Sequence, residues 1–218
     1  MQPIVPNLIS ISLVCLMMLA LFLGCDSETQ PTSENLLAEE LPSEPTPEEQ
    51  TTATRILLET SMGKILIELD EDKAPLAVKN FLVYVDEGFF DDTIVHRVIP
   101  NFMIQAGGIT SDLQQKSSHP PIKNEATNGL QNMRATVAMG QTPGNPDSAT
   151  SHFFINLIDN THLDYQGSDQ PGYTVFGKVI EGMETVDKIA AVKTTTRGQY
   201  PNAPADAVMI TTAKRANP

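Results

Sequence analysis

Val95-His96-Arg97-Val98-Ile99-Pro100-Asn101-Phe102-Met103-Ile104-Gln105-Ala106-Gly107-Gly108 reads as two short strands around a Pro-Asn loop, closed by a glycine turn. Period-two alternation sends Arg97 to one face of the first strand and His96 and Val98 to the other. Phe102, Met103 and Gln105 then mix apolar and amide groups in a way that suggests a groove. The Gln105 amide oxygen can accept from the Arg97 guanidinium while its nitrogen stays free to donate. A plainer reading stands beside this one: His96 and Arg97 as a hydrogen-bonded pair trimming a strand, with Phe102 and Met103 as core.

Outward from this run, the same short-strand rhythm covers the rest of the C-terminal three-quarters of the chain. Residues 56–60 and 63–69 are β-rich runs separated by Ser61-Met62-Gly63, an opening hairpin. Further strands are expected at 93–98, 102–106, 135–139, 152–156, 173–179 and 208–212. Val78, Phe81, Leu82 and Val85 recur at helical spacing after Pro75 and stop at Gly88, which predicts an amphipathic helix. A second helix is expected over 181–192, with Met183, Val186, Ile189 and Ala190 inward. Eight strands, two helices and no alternation of strand with helix predict a mainly β fold. Its expected form is a closed, mainly antiparallel eight-stranded β-barrel capped by the two helices, in one domain over 55–218.

The first 54 residues read differently. Ile4 to Gly24 is almost wholly apolar, no charged side chain precedes Asp26, and the run ends at Gly24-Cys25. This pattern resembles a lipoprotein signal over 1–24, cut before a Cys25 that becomes lipidated; an uncleaved apolar anchor is the alternative. Residues 25–54 then form an acidic, proline-containing tether. Asp26 to Thr54 carries eight of the 27 acidic residues and none of the 14 basic ones, so the tether supplies most of the formal charge of −13. Such a segment buries too little apolar surface to order itself. The expected location is the cell envelope, anchored by lipid and facing the periplasm. Two cysteines provide no disulfide framework, and the acidic balance argues against nucleic acid as a partner.

Competing chemistries find little support. Ser151 and His152 are adjacent in an expected strand and point to opposite faces, so they cannot pair as nucleophile and base. His96, His119, His152 and His162 lack metal-ligand spacing, and no metal or other cofactor is expected. The glycine stretches lack the Lys-Ser/Thr ending of a phosphate loop.

Taken together, the run 95–108, Ser148-Ala149-Thr150-Ser151-His152-Phe153-Phe154-Ile155-Asn156, and Tyr173-Thr174-Val175-Phe176-Gly177-Lys178-Val179-Ile180-Glu181-Gly182-Met183 resemble, in order, the signatures of the cyclophilins. These are β-barrel peptidyl-prolyl cis/trans isomerases, and the similarity is nearest to the exported members from Gram-negative bacteria. The resemblance implies Arg97 as catalytic arginine and Gln105 as its orienting amide. It implies Phe102, Met103, Phe154 and Leu163 as the proline pocket, His96, His162 and Tyr173 at its rim, and Gly140 and Gln141 as the edge that pairs with peptide backbone. Relatives usually carry Ala at the position of Gly140, Gln at that of His152, and Trp or Phe at that of His162. The implied function is acceleration of X-Pro isomerisation during folding of exported proteins, by a monomer acting on proline-containing unfolded or partly folded polypeptides. The alternative is a chaperone or scaffold that binds proline segments without catalysis.

Overall fold

A computed structural model describes residues 53–216. The expected signal, Cys25 and all but the last two residues of the tether lie outside the described residues. Among the described residues no helix is long and apolar enough to cross a membrane.

Strands β1 (Arg55–Thr60) and β2 (Gly63–Leu69) form the expected hairpin, in register from Arg55 opposite Glu68 to Thr60 opposite Gly63. Helix α1 (Pro75–Asp86) follows, with Ala77, Val78, Phe81, Tyr84 and Val85 buried. Its free N-terminal amides are satisfied from far along the chain: Leu76 and Ala77 donate to the two carboxylate oxygens of Glu125, at 3.0 and 2.9 Å. A carboxylate there also complements the helix dipole. The remaining elements are β3 (Thr93–Ile94), β4 (Arg97–Ile99), β5 (Met103–Ala106), β6 (Thr136–Met139), β7 (Phe153–Asn156), β8 (Val175–Glu181), α2 (Met183–Ala190), β9 (Thr194–Arg197), β10 (Tyr200–Pro204) and β11 (Met209–Ala216).

The fold is mainly β with two helices, as expected, but the closed eight-stranded barrel is corrected. The main sheet has nine strands in the order β3-β11-β1-β2-β8-β6-β7-β5-β4, all antiparallel, and it curls into an open half-barrel. The difference arises at the expected strand 93–98, which splits. Ile94 donates to Ile109 and Val95 to Val208, whereas His96 donates to Gln105. The chain therefore changes partners between Val95 and His96, so that one half becomes β3 at one edge of the sheet and the other becomes β4 at the opposite edge. The run Thr93 to Val98 carries no mark of such a change, because which distant backbone each residue meets is not written in its own side chain. The hairpin β9–β10 is also additional to the expected elements.

Alternation along the strands separates two apolar groups. Inward residues, among them Ile56, Leu58, Ile65, Ile67, Ile104, Val137, Phe153 and Ile155, join Phe81, Phe90 and Phe176 in the main core. Phe81 is its hub, with ring centroids 5.2 Å from Phe90, 5.3 Å from Phe153 and 5.1 Å from Phe176. Outward residues Met103, Ala138, Phe154 and Val175 form a second, smaller cluster with Ile99, Phe102, Leu130, Leu163 and Tyr173 packed on it. The second group is too small to be a second core, and it sits on the face that bears Arg97.

Candidate active site

The site is built on the outer face of β4, β5, β7 and β6. Arg97 stands directly opposite Gln105 in the antiparallel β4–β5 pair, and Gln105 stands opposite Phe154 in β5–β7. Facing pairs on one side of a sheet interact through their side chains, and here Arg97 Nη1 donates to Gln105 Oε1 at 3.4 Å. Gln105 thus sits between the guanidinium and the apolar cluster. Met103 and Phe154 are 2% and 4% exposed, so they form the floor of a pocket rather than its wall. Tyr173 stands edge-on to Phe154, with centroids 5.6 Å apart, and His162 stacks on Phe102 at 5.8 Å and 22°.

The structure therefore brings together Arg97, Gln105, Phe102, Met103, Phe154, His162, Leu163 and Tyr173. Gly140 borders the same ground: a Cβ there would come within 3.1 Å of Gln105 Nε2 and 2.9 Å of His152 Cβ. The missing methyl group makes room for the imidazole of His152 and leaves the Gln105 amide unobstructed. Gln141 is fastened by its side chain, accepting from Asn124 Nδ2 and donating to the Gly172 carbonyl. Its position beside the pocket is thereby fixed.

His96 occupies a different place from the pocket residues. It is 4% exposed, packed behind Arg97 against the rings of His152 at 5.0 Å and Tyr200 at 5.6 Å. Burial first, and then the charges of His152 and Arg97, push its pKa down to about 3. His152 is also lowered, by burial, and its Nε2 lies 3.2 Å from Gln115 Nε2. Neutral imidazoles beside Arg97 leave the guanidinium as the positive group on this face. Gly107, at φ +130°, ends β5 where a side chain would overlap the backbone of His152, so the strand can turn away while still pressed against the start of β7.

Sequence reasoning missed the support beneath the pocket. Asn132, Asn156 and Asn160 are buried and linked to one another: Asn156 Nδ2 donates to Asn132 Oδ1, and Asn160 Nδ2 to Asn156 Oδ1. The network reaches three pocket residues. Asn160 Nδ2 donates to the Phe102 carbonyl at 2.8 Å, the Asn160 carbonyl accepts from Leu163 N, and Asn132 Nδ2 donates to the Tyr173 carbonyl. Asp164 closes it by accepting from both Asn132 nitrogens. One signal was available, since asparagine is depleted in strands and Asn156 ends one.

Among the described residues no group of three or more His, Cys, Asp or Glu is arranged to hold a metal ion.

Comparison with known proteins identifies the family. The profile of the cyclophilin type peptidyl-prolyl cis-trans isomerase/CLD family matches residues 55–215. Peptidyl-prolyl cis-trans isomerase A of Dickeya dadantii is 54% identical over 164 residues, which is 75% of this chain and 85% of that protein. Peptidyl-prolyl cis-trans isomerase B of Escherichia coli is 48% identical over 157 residues, 71% of this chain and 95% of the relative. In fold, a crystal structure of a cyclophilin type peptidyl-prolyl cis-trans isomerase from Cryptosporidium parvum superposes with a TM-score of 0.66 at 25% identity, covering 76% of this chain and 99% of that one.

Proposed function

The chain belongs to the cyclophilin-type peptidyl-prolyl cis-trans isomerases, and from that premise we propose that Arg97 stabilises the twisted X-Pro amide and that the clients are exported polypeptides whose folding waits on proline. The observation that carries the mechanism is the Arg97–Gln105 pair set beside an apolar pocket. Rotation about an amide C–N bond meets a barrier of about 18–20 kcal/mol because resonance is lost when the bond twists. At the twisted geometry the prolyl nitrogen regains its lone pair and becomes a hydrogen-bond acceptor, which it is in neither planar ground state. A guanidinium has five N–H donors; Gln105 engages one and leaves others to meet that nitrogen. A bond made only at the barrier top is differential binding, worth tenfold in rate for each ~1.4 kcal/mol.

Met103, Phe154, Phe102 and Leu163 hold the ring by apolar contact, so the carbonyl on its N-terminal side does the rotating. Keeping water from that carbonyl also weakens the planar resonance form. A module that only bound proline segments would need the pocket but not the paired guanidinium and amide.

The proposed setting follows from the apolar run 4–24, the Cys25 that ends it and the acidic stretch after it, read as a lipid anchor with a spacer. Refolding of an exported protein whose slow phase is proline-limited tests the role. That phase, ordinarily tens to hundreds of seconds, should accelerate with catalytic amounts of the wild-type protein. An unchanged phase would reject the proposed clients.

For the anchor, Cys25→Ser should abolish incorporation of labelled fatty acid and leave either an unprocessed precursor or a soluble product. Recovery of intact residues 4–24 in the mature wild-type protein by mass spectrometry would instead indicate an uncleaved apolar segment.

A further inference from the structure

Adjoining the proline pocket is a second cleft of ≈ 410 Å³, which shares His162, Leu163 and Tyr173 with it and has Gln141 at the border. We propose that this cleft is a subsite that reads a residue flanking the proline and favours a cationic side chain, lysine or arginine. The proposal rests on the isomerase mechanism above and names the substrates that mechanism serves best.

Three observations carry it. First is continuity: Leu163 and Tyr173 pack on the cluster of Met103 and Phe154 and also line the cleft, together with Gln141 and His162, so a residue next to a proline seated on that cluster is within reach of it. Second is charge: Asp164 and Asp169 line the cleft and no Lys or Arg does. Third is order, because the walls are fixed before any peptide arrives. Asp164 Oδ1 accepts from Asn132 N at 2.7 Å and Asn132 Nδ2 at 3.0 Å, while no described residue donates to Oδ2. One carboxylate oxygen is therefore clamped and the other is left for a ligand. The Gly172 carbonyl accepts from both Asn124 and Gln141, and in the turn beside it Gln166 N donates to the Gln170 carbonyl and Gln170 N to the Gly167 carbonyl. A preformed wall spares a ligand the ordering cost of binding.

The half-buried Asp164 carboxylate attracts a cation more strongly than a free surface charge does, the exposed Asp169 adds to its field, and both remain open to salt. A substrate glutamate at the same place meets two like charges. The subsite therefore discriminates by attraction and by repulsion together.

The test is protease-free exchange NMR on proline peptides carrying Lys, Ala or Glu immediately before or immediately after the proline. In the wild-type protein, kcat/KM for Lys should exceed that for Glu by about five-fold at one of the two positions. The ratio should fall towards one in the Asp164→Asn/Asp169→Asn variant, and in wild type on raising salt from about 0.02 to about 0.5 M. Asparagine at 164 keeps an oxygen for Asn132, and a ratio taken within one protein cancels any loss common to all peptides. Should the double variant fail to fold, Asp169→Asn alone, at an exposed turn, together with the salt series decides. A ratio near one in wild type, or one that survives both charge removal and salt, overturns the subsite. Acceleration of the alanine peptide reports separately on the isomerase mechanism, and its absence would bring down both.

Discussion

Replacing Arg97 by alanine is expected to lower kcat/KM for X-Pro isomerisation by about two to three orders of magnitude, or roughly 3–4 kcal/mol of transition-state stabilisation. The loss should fall mainly on kcat, because the planar substrate offers the guanidinium no nitrogen lone pair and the apolar floor of Met103 and Phe154 is untouched. Stability should change little. Arg97 is half-buried, and the hydrogen bond its side chain makes with a described residue is the long one to Gln105 at 3.4 Å, so truncation should cost about 1 kcal/mol or less in urea unfolding. Gln105→Ala should lose less activity than Arg97→Ala, since it loosens the guanidinium without removing it. Rates measured by magnetisation exchange decide the matter: near wild-type turnover in a folded Arg97→Ala protein would reject the lone-pair mechanism.

The second large effect is on stability in mild acid. In the unfolded chain an imidazole binds a proton as pH falls through about 6.5. In the folded protein His96 does so only near 3, and Nδ1 of its ring has no hydrogen-bond partner among the described residues. Between these values the unfolded state holds more protons, so stability is fully present above about pH 6.5 and is lost as pH falls towards 3. For His96 alone the loss between about pH 7 and 5 comes to about 2 kcal/mol, and His152, lowered in the same direction by burial, adds to it. The groups against His96 are Arg97, His152 and Tyr200, and none of them is an acidic group that would hold a proton on its ring. Urea midpoints for wild type and for His96→Gln at about pH 7.5 and about pH 5 provide the measurement. The wild-type midpoint should drop clearly, and the drop should shrink in the variant. Equal drops would place the acid sensitivity elsewhere.

How far the sequence disclosed this molecule depended on whether the relevant physics is local. Helix α1 was legible because Val78, Phe81 and Val85 mark one face at helical period, and β2 because Ile65, Ile67 and Leu69 alternate. The Arg97–Gln105 relation was legible too, since both lie in one hairpin where spacing dictates the partner. The break between Ile94 and Arg97 was not, because it is set by distant partners, Ile109 and Val208 on one side and Gln105 on the other. Nor was the support beneath the pocket, where Asn156 at the end of β7 meets Asn132, Asn160 and Asp164 from loops, across separations of up to 32 residues. The placement of His96 behind Arg97 depended on Tyr200 in the unforeseen β9–β10 hairpin. The cap on α1 came from Glu125, 48 or 49 residues beyond the amides it satisfies. Contacts that distant have no period to betray them.

Strand β1 lies inside the sheet, with β2 on one side and β11 on the other, so that Arg55 stands opposite Ala216 and Thr60 opposite Ile210. A pairing between the first strand and the last is among the costliest to close and raises the contact order of the whole domain. It also sets a timetable. At about 5–20 residues per second of synthesis, β1 has its near neighbour β2 within moments but waits roughly 10–30 s for β11 to be made. Throughout that interval it presents an open edge flanked by Ile56 and Leu58, the kind of surface other chains adhere to. β3 waits for the same strand, since β11 is its partner in the sheet, and so does the Asp86 carboxylate of α1, which Arg215 later grips with two hydrogen bonds of 2.8 Å. A ribosome that stalls before codon 209 therefore releases a chain holding both active-site strands and almost all of its apolar residues, yet unable to seal itself. The domain of this isomerase is thus sealed by the last strand to be made.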